Sequence, residues 1–110
     1  MESSELELTA ESVRDRLEND ESLTLLDIRK PREREVATLS NDVWIPMEEV
    51  PENLDSIAEK DRPLIIYCHH GMRSMKVTQY LREEGLDDVY SLAGGIDYWA
   101  RKIDPEMNRY

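Results

Sequence analysis

Cysteine, histidine and positive charge are all scarce in this chain. Its 110 residues include one cysteine, two histidines and 14 basic side chains against 25 acidic ones. A single thiol excludes an internal disulfide, and two histidines leave little material for a metal centre. The net charge of −11 repels phosphate backbones and anionic lipid headgroups, so neither nucleic acid nor a membrane surface is an expected partner. No apolar run approaches the ~20 residues that span a bilayer. The opening Met1-Glu2-Ser3-Ser4-Glu5 lacks the basic-then-apolar order of a secretory signal, which makes the cytoplasm the expected compartment. Repeats, low-complexity stretches and Gly/Ser/Pro-rich linkers are absent too. One domain over 1–110 is expected, with residues 1–5 as a flexible start. The high charge favours a monomer.

Short apolar runs alternate with helical spacings, the mark of an α/β domain around a mostly parallel sheet. Leu6 to Leu8 reads as an edge strand, and Thr9 as the N-cap of a helix to about Asn19 with Val13 and Leu17 on one face. Leu23 to Ile28 is a strand that Pro31 turns into a loop, with one or two helical turns expected over 33–39. Val43 to Ile45 forms another short strand. Pro51 suits the first turn of a helix to about Lys60, with Leu54, Ile57 and Ala58 inward. Pro63 to Cys68 is continuously apolar, as a central parallel strand covered on both faces must be. A helix follows from Ser74 to Glu84, closed by Gly85 and Leu86. Val89 to Leu92 is a further strand, Gly94-Gly95 a tight turn, and Ile96 to Lys102 a last helix holding Trp99.

Cys68 thus sits where a central strand ends and a helix begins, the edge at which open parallel sheets bind ligands. In Cys68-His69-His70-Gly71-Met72-Arg73-Ser74, a curling loop can aim successive amides at one point and join them to a helix N-terminus. Such positive potential favours the thiolate, the reactive form of cysteine. Gly71 lets the backbone turn without filling the pocket. Arg73 carries a permanent charge able to fork onto an oxyanion. Nucleophile, anion cradle and fixed cation fall within six consecutive residues.

The stretch Tyr67 to Ser74 resembles the active-site loop of the rhodanese-like sulfurtransferases. Three further segments agree in order: Leu26-Asp27-Ile28-Arg29 with Glu33, Leu92-Ala93-Gly94-Gly95-Ile96-Asp97-Tyr98-Trp99, and the tail from Ile103 to Tyr110. The stretch 39–46 departs from the family's usual pattern, keeping only Ile45-Pro46. The resemblance implies a rhodanese-like three-layer α/β domain, a mostly parallel five-stranded sheet with helices on both faces. It also implies a thiosulfate sulfurtransferase-like enzyme without a cofactor. Cys68 would attack a small anionic sulfur donor such as thiosulfate, become a persulfide, and pass sulfur to cyanide or to a thiol, small or protein-borne. The amides of residues 69–73 would bind the sulfur, with His69, His70, Gly71, Met72 and Arg73 as the donor-binding set and Asp27, Arg29 and Ser74 in support. From its place at the neighbouring strand end, Asp27 is expected to anchor Arg73.

Other assignments weigh differently. His69 and His70 could, when protonated, draw in an anionic donor, or could be plain exposed loop residues. As zinc ligands they are disfavoured, because adjacent side chains splay apart and only distant carboxylates could complete a site. Arg29, Lys30, Arg32 and Arg34 form a basic cluster. A rim guiding donor or acceptor is conceivable, but for Lys30, Arg32 and Arg34 surface pairing with Glu33 and Glu35 is favoured. Trp44 and Trp99 are expected in the core. Two rivals share the residue pattern: a cysteine phosphatase or arsenate reductase, and a sulfur-relay or interaction module with little turnover. Four residues between Cys68 and Arg73 make a tighter cradle than the five that phosphatases of this fold use.

Overall fold

A computed structural model describes residues 6–110; the expected flexible start at 1–5 lies outside the described residues. Five strands, β1 (Glu7–Leu8), β2 (Thr24–Asp27), β3 (Val43–Trp44), β4 (Leu64–Tyr67) and β5 (Val89–Leu92), form one sheet in the order β1-β5-β4-β2-β3. Every pairing is parallel. The helices are α1 (Ala10–Glu18), α2 (Pro31–Val36), α3 (Leu54–Ala58), α4 (Met72–Glu83) and α5 (Gly95–Tyr98), the last continued by a π-helical turn over Trp99–Ile103. None is long and apolar enough to cross a membrane.

Strand alternation sorts the apolar residues into two cores. Leu26, Leu64 and Ile66 point to one side and meet Ile57 of α3 with Val77 and Leu81 of α4. Leu25, Ile65 and Tyr67 point to the other and meet Ala10 and Val13 of α1 with Ile96 and Trp99. Both faces of the sheet are therefore covered, and all four residues of the middle strand β4 are fully buried, the environment its unbroken apolar run requires.

Local signals place the helices well. The Thr9 hydroxyl accepts from the Ser12 amide at 3.1 Å and caps α1. Gly85 takes φ +97°, and the Leu86 amide returns to the Leu81 carbonyl at 3.1 Å to close α4. Differences arise where packing overrules spacing. Helix α4 begins at Met72, two residues before the expected Ser74, bringing its first turn onto the cysteine loop. The expected helix over 51–60 is broken into a 3₁₀ turn at Pro51–Asn53 followed by the short α3, with a further 3₁₀ turn before it at Met47–Glu49, and Ala58 faces solvent. Leu17 is likewise exposed rather than inward beside Val13.

Trp44 is not a core residue. It lies half-exposed on the two-residue edge strand β3, its indole N–H donating to the Arg29 carbonyl at 2.9 Å and its ring facing the Arg34 guanidinium. The indole covers a charged network instead of joining an apolar core. In that network Asp27, fully buried, accepts from Arg29 through both oxygens at 2.9 Å and from Arg34 at 2.8 Å. Arg34 also reaches Asp42 at 2.7 Å, and Asp42 accepts from the Tyr67 hydroxyl at 2.7 Å. Hydrogen bonding to their carboxylates outweighs burial and holds both guanidinium pKa values above the ordinary value, Arg29 against Asp27 and Arg34 first against Asp42. Asp27 therefore anchors Arg29 and Arg34, and the expected link from Asp27 to Arg73 is replaced by another partner. The surface pairing expected of Arg34 with Glu33 and Glu35 gives way to this buried site.

Removing one member of a buried ion network leaves the others uncompensated. Asp27→Asn is expected to lower unfolding stability by about 3 kcal/mol or more. Urea denaturation checks this, and an unchanged midpoint would contradict the structural role assigned to Asp27.

Candidate active site

Strand β4 delivers Cys68 to the carboxyl edge of the sheet at its centre. Two carbonyls of the following loop are braced from outside: Cys68 accepts from the Ile96 amide at 2.9 Å, and His69 from the Asp97 amide at 3.0 Å. Gly71 then adopts φ +108° and turns the backbone into α4. Its amide donates to Cys68 Sγ at 3.1 Å, and the Ser74 amide does so at 3.3 Å. The Ser74 hydroxyl lies 3.5 Å from the sulfur and 2.7 Å from the Ser91 hydroxyl of β5. Two inward amides and the first turn of α4 thus surround one sulfur atom, an arrangement that stabilises negative charge there.

Cys68 is 1% exposed and belongs in part to the apolar core. It also floors a depression of about 350 Å³ walled by His69, His70, Met72, Arg73 and Lys76. The expected donors were the amides of residues 69–73; those that reach the sulfur are Gly71 and, one residue beyond that span, Ser74. Met72 stands at the rim, 75% exposed. Arg29 is fully buried one network away and supports the site only through its neighbours.

Arg73 is held by Glu33, not by Asp27. Its two terminal nitrogens donate to the two carboxylate oxygens at 3.0 and 2.9 Å, the forked geometry that gives an arginine pair its directionality. Glu33 also accepts from the Lys30 amide at 2.9 Å and from the Tyr110 hydroxyl at 2.8 Å. Burial by itself raises the Glu33 pKa, but Arg73, the Lys30 amide and Tyr110 outweigh it and bring the carboxyl to about 2. A carboxyl depressed in the fold stabilises it above the unfolded value and loses that contribution as pH falls through the folded one. The stability gap between the protein and its Glu33→Gln variant should therefore hold steady above pH 6 and narrow between the ordinary 4.5 and about 2. Thermal unfolding across that range measures it; a gap that instead widened on acidification would contradict the ion pair.

Tyr110 had no role assigned beyond its place in the tail. Its hydroxyl accepts from Arg29 at 2.8 Å while donating to Glu33, and its ring stacks on His69 at 3.9 Å between centroids. Burial, opposed by Arg29 and reinforced by Glu33, pushes its phenol up to about 12, so the proton that bonds Glu33 is retained. Glu33, Lys76, Ser91 and Tyr110 are the site's unforeseen members. Glu33 and Tyr110 carried a signal only through the motif and the tail in which they stand; Tyr110 lies 81 residues from its partner Arg29, and Ser91 lies 17 from Ser74.

The two histidines differ from each other. His69 is half-buried between the His70 and Tyr110 rings, and its Nε2 is buried without a hydrogen-bond partner among the described residues. Burial, then the neighbouring His70, lowers its pKa. That disfavours His69 as a cation drawing in the donor. His70 is exposed, 3.8 Å from Asp97. Their rings are not splayed apart but lie 4.0 Å between centroids, and Asp97 comes from α5 to complete a cluster with ligand atoms within 4.8 Å. Arg101 at 3.1 Å and Arg109 at 3.7 Å already engage that carboxylate.

A parallel five-stranded sheet with a cysteine loop of this form defines the rhodanese fold, and the chain belongs to the rhodanese-like domain family, whose model matches residues 9–102. Among individual relatives, it is 38% identical over 95 residues to a sulfurtransferase of Allochromatium vinosum, covering 86% of this chain and 88% of that one. It is 34% identical over 77 residues to the thiosulfate sulfurtransferase GlpE of Coxiella burnetii, covering 70% and 71% respectively. A rhodanese-like domain protein of Staphylococcus aureus superposes with a TM-score of 0.79 at 26% identity, covering 96% of this chain and 98% of that one.

Proposed function

We propose that this protein is a sulfurtransferase that carries sulfane sulfur as a persulfide on Cys68. The observation that supports this most directly is the sulfur atom at the strand end, accepting from the Gly71 and Ser74 amides. Those donors stabilise both the attacking thiolate and the terminal sulfur anion of a persulfide. Thiosulfate or a similar small anion supplies the sulfur. The Cys68 thiolate attacks its outer sulfur, the S–S bond of the donor breaks, and sulfite leaves with the electron pair. A thiol or cyanide then takes the outer sulfur and regenerates Cys68, the two-step course of a covalent carrier.

Arg73 keeps its charge, because the hydrogen bonds it donates to Glu33 outweigh partial burial and raise its pKa. It stands at the mouth of the cysteine depression together with Lys76, and both can neutralise donor charge. Four residues between Cys68 and Arg73 leave a cradle suited to one sulfur anion rather than to a tetrahedral phosphoryl group. A free thiol as working group fits a reducing compartment, the cytoplasm.

Treatment with thiosulfate should add about one sulfur, ~32 Da, at Cys68. Intact-mass spectrometry reads this directly. A mass that stays unchanged, with Cys68 reduced and the protein folded, would leave only an interaction role.

A further inference from the structure

Lys30 and Arg32 do not form the surface pairs expected of them. Glu33, which directly follows Arg32, is wholly occupied by Arg73, the Lys30 amide and Tyr110. Glu35, on the same helix, makes no ion pair with either among the described residues, and both cationic side chains stand exposed. They line a second depression of about 380 Å³ with Glu33, Arg73 and Tyr110. The only acid in that lining is the neutralised Glu33. In a chain of net charge −11, this is a local reversal of sign beside the nucleophile. Arg73 belongs to both depressions, so the two adjoin across its guanidinium.

We propose that this second depression is the acceptor subsite and takes the carboxylate arm of a small anionic thiol whose sulfur reaches Cys68 across Arg73. The proposal rests on the sulfurtransferase function and adds the chemical class of acceptor. In the step it serves, R–SH attacks the outer sulfur of Cys68–S–S⁻. A new S–S bond joins it to R, the old one to Sγ breaks, R–S–SH leaves with the proton, and the Cys68 thiolate is restored without net oxidation. A depression of this size suits a small molecule. At longer range the acidic surface repels acidic macromolecules, whereas a small anion inside the recess feels the nearby cations within a Debye length of about 8–10 Å.

The test compares mercaptosuccinate with 2-mercaptoethanol as acceptors for the thiosulfate-loaded protein, with and without K30Q/R32Q. Removing two exposed charges should raise KM for mercaptosuccinate about fivefold to tenfold, while KM for 2-mercaptoethanol stays within about twofold. The mass gain on loading should not change. Independently, succinate added to the unloaded protein should shift the backbone amide resonances of residues 30, 32 and 33 by NMR, and K30Q/R32Q should abolish those shifts. An unchanged KM for mercaptosuccinate, an equal rise for both thiols, or succinate shifts that survive in the variant would overturn the subsite. Failure to load sulfur at all strikes instead at the sulfurtransferase function, and the succinate titration still decides the subsite.

Discussion

Cys68→Ser should abolish sulfur loading and lower turnover of thiosulfate by about 10³-fold or more. The expected size follows from chemistry, because a serine hydroxyl supplies neither an accessible anion at neutral pH nor a sulfur able to hold a second one. The change should leave the fold intact. The Gly71 and Ser74 amides that donate to Sγ at 3.1 and 3.3 Å can also bond a hydroxyl oxygen, and the position needs no large volume. Thermal unfolding within a few degrees of the parent, together with absent loading by mass, is the expected pair of results. Residual turnover near the parental rate would mean that the transferred sulfur never resides on Cys68.

Gly95→Ala should damage both stability and transfer, although Gly95 touches no reacting atom. The residue has φ +62°, and a Cβ there would fall 2.6 Å from the Cys68 carbonyl oxygen and 2.6 Å from the His69 carbonyl carbon. Both obstacles are backbone, so no side chain can swing aside. The same backbone is held by the Ile96 and Asp97 amides, and any retreat of α5 loosens the cysteine loop. A loss of about 2–4 kcal/mol is expected in urea denaturation, with a slower loading rate in the fraction that remains folded. Gly85→Ala provides the control. It has φ +97° but open space around the would-be Cβ, so it should cost only about 1 kcal/mol of backbone strain and leave loading unchanged. Equal loading rates in the two variants would show that the brace from α5 is not needed for transfer.

The tight turn read at Gly94-Gly95 illustrates how far a sequence carries the argument here. Glycines in succession announce a backbone that must do something unusual, and that much was legible. Their neighbour was not, because it is a loop some 26 residues earlier, and contact at that separation is settled only when β4 and β5 pair side by side. Arg73 and Glu33 follow the same logic. Each stands in a recognisable motif, but strand order alone points Arg73 to Asp27, whose oxygens are taken by Arg29 and Arg34. A carboxylate has few lone pairs, and competition for them is a three-dimensional matter.

Short-range chemistry was written in the chain itself. The continuous apolar run of β4, the helix cap at Thr9, the closing Gly85 and the Cys68-to-Ser74 loop all act within a few residues, and their physical requirements can be read from spacing. Which carboxylate holds Arg73, which amides meet the sulfur, why Trp44 stays at the surface, and where Tyr110 lands depended on tertiary contact. Those outcomes turn on which polar groups lose water together, and distant segments share that cost only after the sheet has brought them into one place.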